Sequence, residues 1–399
     1  MPSKIWTKIH LRHGVDLEPS RRNECGRENC TNVSQLRMAL TRSGAAPLDV
    51  EISGFDMDMA REIVKERHRW ATLSLTTQQW DHQLLQWLLT ETQLPIPVES
   101  VVLDGVYHRD YIQRWLSLAQ PVNLDLKRPN ELVGFTAPSW SARLRVLELH
   151  EPAVPFHIPE ILAIVAPRLT HLSISHVQLQ LELMPASIAF PNLLELWLVN
   201  INAWWQFESP NLRKFTLYPT HGLPKTTRLS YPKLKQITFR AEKSAIPSGS
   251  LLAPALESLN VQRVTAAQWG SCPLVIPGWF QSPSNMHLYQ LWIDECSIPY
   301  KELLESLHLL RHLRALCISD TQLPVSFFRA LGTTQSLRYG TICPDLLTIF
   351  VDFSFCKGNM VKETFVAAFV DIAKAREEKL AQLRVCWPVK WRTAPAEFV

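Results

Sequence analysis

A short phrase that recurs along the chain constrains its fold more than any other feature. Six copies place a proline two residues before a leucine, and apolar residues follow three and five positions after that leucine. Chance alone would give about one such copy in a chain of this composition, so six of them indicate an internal repeat. The leucines at position 0 of these copies are Leu169, Leu193, Leu212, Leu234, Leu256 and Leu346.

Looser copies, which keep the apolar positions but lack the full proline–leucine start, extend the repeat in both directions. They start at Pro47, Trp70, Val98, Pro121, Leu144, Leu288, Leu313 and Leu380. All fourteen starts are on average about 26 residues apart, which is within the range of leucine-rich repeats.

The repeat predicts the fold class. Because alternate residues of a strand face opposite sides, positions +3 and +5 lie on one face. One strand cannot bury that face alone, so each repeat stacks on the next and builds a parallel sheet. We therefore predict an α/β leucine-rich-repeat solenoid (a horseshoe), with parallel strands on the concave face and helices or irregular segments on the convex face. The segments with helical patterning are Asp81–Leu89, Arg109–Leu118, Pro159–Val165, Tyr300–Leu310 and Val361–Ala375.

The turn after each strand departs from the usual leucine-rich pattern, which has asparagine or cysteine at position +8. Cys296 fits that pattern, whereas other repeats have residues such as Val177 or Thr321 there. Glycine is also scarce, at 13 of 399 residues. We therefore expect irregular turns, no continuous asparagine ladder and few left-handed residues.

Charge and composition exclude several classes of protein. Lysine and arginine total 41 against 37 acidic residues, and a nucleic-acid binder normally has a clustered basic face, so no nucleic acid is expected. There is no apolar run long enough for a transmembrane helix, and the start lacks a secretory signal. Six of the eight cysteines lie in or beside apolar runs, which predicts buried thiols. We expect a cytoplasmic or nuclear monomer without membrane contact.

The sequence contains no catalytic signature. Gly-x-Ser-x-Gly, a phosphate loop and His-Glu-x-x-His are all absent. His308 and His312 are four residues apart on a predicted helix, but no third ligand accompanies them, so an exposed helix face is expected. We predict that the chain is not an enzyme, with no cofactor.

One arrangement near the N-terminus could in principle bind zinc. His10-x-x-His13 is followed by Cys25 and Cys30, but four residues between the cysteines and the order of the ligands are unusual for zinc. A polar N-terminal loop is the simpler interpretation, and no metal site is predicted.

The first 75 residues carry a second signal. Ile5–Leu11 is followed by a helix candidate at Val33–Thr41, and then by the phrases Arg42–Ile52 and Arg69–Leu75. This succession resembles the large family of F-box proteins with leucine-rich repeats found in mushroom-forming fungi. Together with the repeats, the resemblance covers nearly the whole chain.

The resemblance implies a domain organisation. Residues 1–46 would be an N-terminal cap and a remnant of the segment after the F-box, and residues 47–399 a solenoid of about fourteen repeats. In the family, an F-box precedes the Ile-Trp segment and docks onto the Skp-type adaptor of a cullin-RING ubiquitin ligase. Because the chain starts just before Trp6, we expect the F-box to be missing and the adaptor to bind only if an upstream F-box exists.

The function implied by the resemblance is a non-catalytic protein-interaction module, like the substrate-recognition part of an F-box subunit. Its partner would be a protein substrate on the concave face. A free-standing leucine-rich-repeat scaffold unrelated to ubiquitination is one alternative, and an enzyme on a repeat scaffold is another.

The repeat also selects candidate partner-binding residues. Positions +2, +4 and +6 alternate with the buried ones and face the concave side. Tryptophan, tyrosine and arginine contribute most of the binding energy at protein interfaces, so a central patch of these types is our hypothesis for partner contact. Ordinary cross-strand packing, or cover by a C-terminal segment, is the alternative. The candidates are Glu148, His150, Glu195, Trp197, Lys214, Tyr218, Arg240, Trp292 and Asp294.

Overall fold

The protein is a mixed α/β chain that divides, in the computed structural model, into two compact units, Met1–Leu193 and Leu194–Val399. A parallel sheet is the framework of each unit. The structure describes residues 8–11, 28–30, 32–53, 57–77, 90, 98–105, 116–129, 140–151, 158–177, 187–201, 206–219, 229–240, 251–263, 287–321, 323–333, 341–353, 362–387 and 397–398.

The sheet of the first unit has, among its described residues, eight parallel strands in the order β2-β1-β3-β4-β5-β6-β7-β8. The strands of this unit are β1 (Lys8–Leu11), β2 (Glu28–Cys30), β3 (Leu48–Ile52), β4 (Trp70–Thr77), β5 (Ser100–Gly105), β6 (Asn123–Lys127), β7 (Val146–His150), β8 (His171–Ser175) and the short β9 (Ser187–Ala189). The helices with described bounds in this unit are α1 (Val33–Ser43), α2 (Met57–Lys65) and α3 (Ile158–Val165), with a 3₁₀ turn at Arg67–Arg69.

The sheet of the second unit runs, over its described residues, in the order β10-β12-β14-β16-β17-β18-β19-β20, all parallel, with β21 antiparallel to β20. The strands are β10 (Glu195–Ile201), β11 (Gln206–Glu208), β12 (Lys214–Pro219), β13 (Leu229–Ser230), β14 (Gln236–Arg240), β15 (Leu251–Leu252), β16 (Ser258–Gln262), β17 (Gln290–Asp294), β18 (Ala315–Ser319), β19 (Thr348–Asp352), β20 (Gln382–Cys386) and β21 (Glu397–Phe398). The helices in the described part of this unit are α4 (Tyr300–Leu309), α5 (Val325–Gly332) and α6 (Lys362–Ala375).

The strands predicted from the repeat are confirmed. In all fourteen repeats the residues at +3 and +5 lie in a strand and are buried. The register keeps equivalent positions opposite each other, as Leu147 with Leu172 and Leu291 with Leu316 show. Each such side chain contributes roughly 1.5–3 kcal/mol when it is fully buried, so these two ladders contribute substantially to stability. We call the opposite side of each sheet, which carries positions +2, +4 and +6, its exposed face.

Four helix predictions are confirmed to within about two residues at either end, at α1, α3, α4 and α6. Asn32 starts α1 because its side chain accepts a hydrogen bond from the Gln35 backbone N–H at 3.0 Å. The predicted helix at Asp81–Leu89 and most of the one at Arg109–Leu118 lie outside the described residues. Of the helices described, α2 and α5 were not predicted.

Many of the turns after the strands contain a left-handed residue, so the expectation of few left-handed residues is wrong. Position +7 has a positive φ in seven described repeats at residues other than glycine, and in an eighth at Gly105. The backbone N–H of such a residue donates to the carbonyl that ends the next strand, as Glu151 does to Ser175 at 3.0 Å and Glu295 does to Ser319 at 2.9 Å. The turn is therefore held by the backbone. The seven residues are Arg128, Glu151, His176, Asn200, Arg263, Glu295 and Asp320. The turns are not all alike, because Thr77, Pro219, Phe353 and Trp387 stand at the same position of other repeats without a positive φ.

Substitution of Glu151 tests this turn. Its φ is 49° and its side chain is exposed, so little packing is lost on replacement. A left-handed residue with a Cβ is strained by roughly 1–2 kcal/mol, and a β-branched side chain is strained most. We expect Glu151→Val to unfold at lower urea concentration than Glu151→Gly, by about 1–2 kcal/mol in the free energy of unfolding. Equal stabilities of the two variants, measured by circular dichroism, would contradict a left-handed turn.

The residues at position +8 of two adjacent repeats, Cys296 and Thr321, form a short ladder of hydrogen bonds. The Cys296 thiol donates to the Asp294 carbonyl at 3.1 Å, and the Cys296 N–H donates to Thr321 Oγ1 at 3.2 Å. The Thr321 hydroxyl in turn donates to the Ser319 carbonyl at 2.9 Å. Cysteine and threonine in adjacent repeats thus satisfy backbone groups next to their turns, without asparagine.

The N-terminal region is not a polar loop at residues 8–11, so that expectation is wrong there. These residues form β1, which pairs in parallel with both β2 and β3, and Ile9 and Leu11 are buried. β1 places His10 opposite Glu51, so it continues both faces of the repeat sheet. The boundary predicted at residue 46 stays a prediction.

Two further predictions can be compared with the described residues. Cys296, Cys317 and Cys343 are buried as expected, and burial raises the pKa of the Cys317 thiol to about 11 and that of the Cys343 thiol to about 12. Cys272 and Cys356 lie outside the described residues. Within the described part of the chain, there is no helix with the length and apolar character needed to span a bilayer.

Candidate functional site

The exposed face of the first unit carries a compact polar cluster on three neighbouring strands. Asp125 on β6 lies opposite Glu148 on β7. Lys127 on β6 lies opposite His150 on β7, which lies opposite Ser175 on β8. We call these five residues the His150 cluster. Because each is held at a strand position of a paired sheet, the backbone fixes their spacing.

His150 is the centre of this cluster. Its Nδ1 lies 2.6 Å from Ser175 Oγ. Its Nε2 lies 3.3 Å from Glu148 Oε2 and 3.5 Å from Asp125 Oδ1. Lys127 contributes a further contact, with Nζ at 3.4 Å from Asp125 Oδ2. One imidazole nitrogen therefore faces two carboxylates.

The electrostatics of the cluster follow from these contacts. The hydrogen bond between His150 and Glu148 raises the pKa of the imidazole and lowers the pKa of the Glu148 carboxyl. Burial raises the pKa of Asp125, because its carboxylate loses water without full compensation. Asp125 Oδ1 is buried and has no hydrogen-bond partner in the described structure. A positive charge next to Nε2 would stabilise both carboxylates.

The second unit has a different exposed face, with aromatic residues. Trp197 on β10 and Trp292 on β17 lie in the same register row, separated by Thr216, Thr238 and Asn260. We call these five residues the Trp197–Trp292 row. Four strand spacings, about 19 Å along the sheet, separate the backbone positions of the two tryptophans. The indoles are 46% and 39% exposed, so neither is packed away beneath the surface.

The next register row, which includes Tyr218, Arg240, Gln262 and Asp294, carries charged side chains that already contact their neighbours. The Arg240 guanidinium carbon lies 5.7 Å from the centroid of the Tyr218 ring, a cation–π contact. The Tyr218 hydroxyl donates to Gln262 Oε1 at 3.4 Å, and Gln262 lies opposite Asp294. These contacts hold Tyr218 and Arg240 in place next to the Trp197–Trp292 row, so binding there would require little further ordering.

The sequence-based candidates are divided between the two units. Glu148 and His150 belong to the first unit and the other seven belong to the second. On the far side of the Trp197–Trp292 row, Glu195 and Lys214 pair with each other across β10 and β12 at 2.9 Å. Ordinary cross-strand packing was one alternative for the aromatic patch; it describes Tyr218 and Arg240, whereas Trp197 and Trp292 are exposed. The other alternative, cover by a C-terminal segment, concerns residues that lie mostly outside the described part of the chain.

Asp125, Lys127 and Ser175 were not among the candidates. The signal was present, because Asp125 and Glu148 share position +4 of adjacent repeats, and Lys127, His150 and Ser175 share position +6. Comparing the same position across adjacent repeats would have identified the cluster.

The histidine and cysteine patterns noted in the sequence do not form metal sites from their described members. His10 Nε2 lies 2.8 Å from Ser53 Oγ and 3.4 Å from Glu51 Oε1. His13 and Cys25 lie outside the described residues. His308 is in α4, but His312 lies beyond the helix and contacts Asp345 at 3.3 Å, so the two do not share a helix face.

Comparison with known proteins does not assign the chain to a family. None of the known protein-family models matches the chain, and none of the curated proteins does. The resemblance of the first 75 residues therefore stays a prediction. Functional conclusions depend on the two exposed faces.

Proposed function

We propose that the chain is a non-catalytic protein-interaction module that binds an extended segment of a partner protein on the exposed face of its second unit. The observation that carries the proposal is the pair of exposed indoles, Trp197 and Trp292, on one register row. Large exposed aromatic side chains on a rigid sheet are typical of protein-binding hot spots.

The spacing of the indoles defines what the partner segment must offer. An extended chain advances about 3.3 Å per residue, so two anchors about 19 Å apart are about six residues apart. The segment would cross the strands, with an apolar or aromatic side chain at each indole. Between the anchors it would lie over Thr216, which is buried, and over the half-buried Thr238 and Asn260, which offer a hydroxyl and an amide group for hydrogen bonds.

We also propose that both sheets belong to a leucine-rich-repeat solenoid, and that the partner is a substrate presented to a ubiquitin ligase. Support for the solenoid comes from fourteen strands that follow one repeated phrase and from the left-handed turn that recurs at position +7. Support for the ligase role is the resemblance of residues 42–52 and 69–75 to fungal F-box proteins.

Peptide selection tests the binding face. A display library of random twelve-residue peptides would be selected against the full chain and the enriched peptides measured by fluorescence anisotropy. We expect apolar or aromatic residues about six positions apart, and at least about tenfold weaker binding to a Trp197→Ala, Trp292→Ala variant, because each indole buries a large contact area.

Matched control variants distinguish specific binding to this face from non-specific hydrophobic binding. Leu252→Ala removes a side chain that is 50% exposed in the same unit but outside the row, and should leave affinity unchanged. Arg240→Ala removes the cation–π contact next to the row and should weaken binding less than the double variant does. Equal affinity of the folded double variant and the unaltered chain would overturn the proposal.

A further inference from the structure

We propose that Asp125, Glu148 and His150 form a binding site for a divalent transition-metal ion, for which zinc is the best fit. The site lies on the exposed face of the first unit, and the proposal is independent of peptide binding to the second. One ligand atom of each residue lies within 4.8 Å of the others.

The distances agree with a metal polyhedron. Zinc binds nitrogen and oxygen ligands at about 2.0–2.1 Å, which places neighbouring ligands of a tetrahedron about 3.3–3.4 Å apart. Glu148 Oε2 and Asp125 Oδ1 lie 3.3 Å and 3.5 Å from His150 Nε2. The three atoms can therefore ligate one ion with only small side-chain movements, and the fourth position would be left for water.

The orientation of His150 is that of a metal ligand. When Nδ1–H donates to Ser175 Oγ at 2.6 Å, the lone pair of Nε2 faces the two carboxylates. A second hydrogen-bonding partner of this kind is what fixes the tautomer of ligating histidines in proteins. Without a proton or a cation at Nε2, that lone pair would be opposed by two negative charges.

Asp125 supplies a further observation. Its Oδ1 atom is buried and accepts no hydrogen bond within the described residues, although a buried carboxylate oxygen normally does, and its contact with a basic group is the one to His150 Nε2 at 3.5 Å. A metal ion bound to His150 and Glu148 would satisfy this oxygen. One imidazole with two carboxylates suits zinc or manganese better than calcium or magnesium, which prefer oxygen ligands alone.

Lys127 gives the site an unusual feature. Its ammonium lies 3.4 Å from Asp125 Oδ2, the oxygen not used for the metal, and the side chain is 44% exposed. The ammonium lowers the affinity for a cation through charge repulsion, but it can move into solvent. Removing it should therefore strengthen metal binding, whereas removing any of the three ligands should weaken it.

Calorimetry with zinc chloride on the tag-free, chelator-treated full chain tests the site. We expect a zinc site that becomes at least about tenfold weaker in His150→Ala and Glu148→Gln, since even the outer partners of metal ligands are worth about 10–100-fold. His171→Ala, on the next strand but outside the cluster, is the matched control and should bind like the unaltered chain. Lys127→Met should bind several-fold more tightly, so the test does not depend on variants that lose a ligand.

Cobalt distinguishes this site from zinc held by thiols elsewhere in the chain. Co²⁺ in a tetrahedral site of nitrogen and oxygen gives visible absorption without the sulfur-to-metal charge-transfer band of a cysteine site. We expect that absorption in the unaltered chain and its loss in His150→Ala. Absence of zinc binding, or equal zinc affinity and cobalt spectra in the folded His150→Ala variant, would overturn the proposal and leave a proton as the positive charge in the cluster.

Discussion

Replacing Arg376 by leucine is expected to destabilise the second unit by about 3–5 kcal/mol, because three buried backbone carbonyls lose their donor, at roughly 1–3 kcal/mol each. Arg376 follows α6 and is only 7% exposed. Its Nε donates to the Leu331 carbonyl at 3.0 Å, Nη1 to the Cys343 carbonyl at 3.0 Å, and Nη2 to the Ile342 carbonyl. The guanidinium thus joins α5, α6 and the segment before β19.

The planar guanidinium of Arg376 has donors in the directions of all three carbonyl groups. Leu331 is in the last turn of α5, where carbonyl groups carry the negative end of the helix dipole. Burial lowers the pKa of Arg376, but arginine stays charged at any pH at which the protein folds. Lysine would keep the charge without the fork that reaches three carbonyls, so Arg376→Lys should also be destabilised, though less.

Hydrogen exchange measures the effect where it occurs. In a repeat protein, stability is largely a sum of neighbouring contributions, so peptides from α5 and α6 should lose protection while those from β3 and β4 keep it. Arg384→Leu is the matched control, since this arginine is exposed and lies over the Phe350 ring. If Arg376→Leu and Arg384→Leu gave the same protection, the three hydrogen bonds would not be stabilising the fold.

The sheets could be predicted from the sequence because the signal is periodic and repeated. Two buried residues per strand, such as Leu147 and Leu149, were enough to locate each strand, since fourteen copies reinforce one another. Helices with an amphipathic pattern, such as α6, were found because their apolar residues also recur at a regular spacing. Phe327 and Phe328 in α5 follow valine in a short apolar run, which does not distinguish a helix from a strand.

Features that depend on register or backbone conformation could not be read from one repeat alone. Glutamate and arginine at position +7 do not predict a left-handed turn, because these residue types rarely adopt a positive φ by preference. The strands on either side impose the conformation. The strand β1 fits the looser form of the repeat, because Ile9 and Leu11 stand three and five positions after Trp6 and pair with Val50 and Ile52 of β3. This copy was missed, since the repeat was followed only from Pro47 onward. The His150 cluster depends on β6 and β7 being in register, which places Asp125 opposite Glu148.

Replacing Phe328 by alanine is expected to have an effect as large as that at Arg376, about 3–5 kcal/mol, because it opens a cavity in the aromatic core of the second unit. The Phe328 ring lies 5.0 Å from the ring of Phe369, 5.2 Å from Phe327, 5.8 Å from Phe365 and 6.0 Å from Phe353, measured between centroids. It is fully buried, so α5, α6 and the end of β19 all contact one side chain.

The size of the Phe328 effect should follow the volume removed. Phe328→Leu keeps most of the volume and is expected to be less destabilised, whereas Phe350→Ala, on the exposed face of β19, should be the least affected of the three. Urea unfolding together with hydrogen exchange of α5 and α6 gives the order. A loss at Phe328→Ala no greater than at Phe350→Ala would mean that the helices α5 and α6 do not depend on this core, and that the strand ladders alone stabilise the second unit.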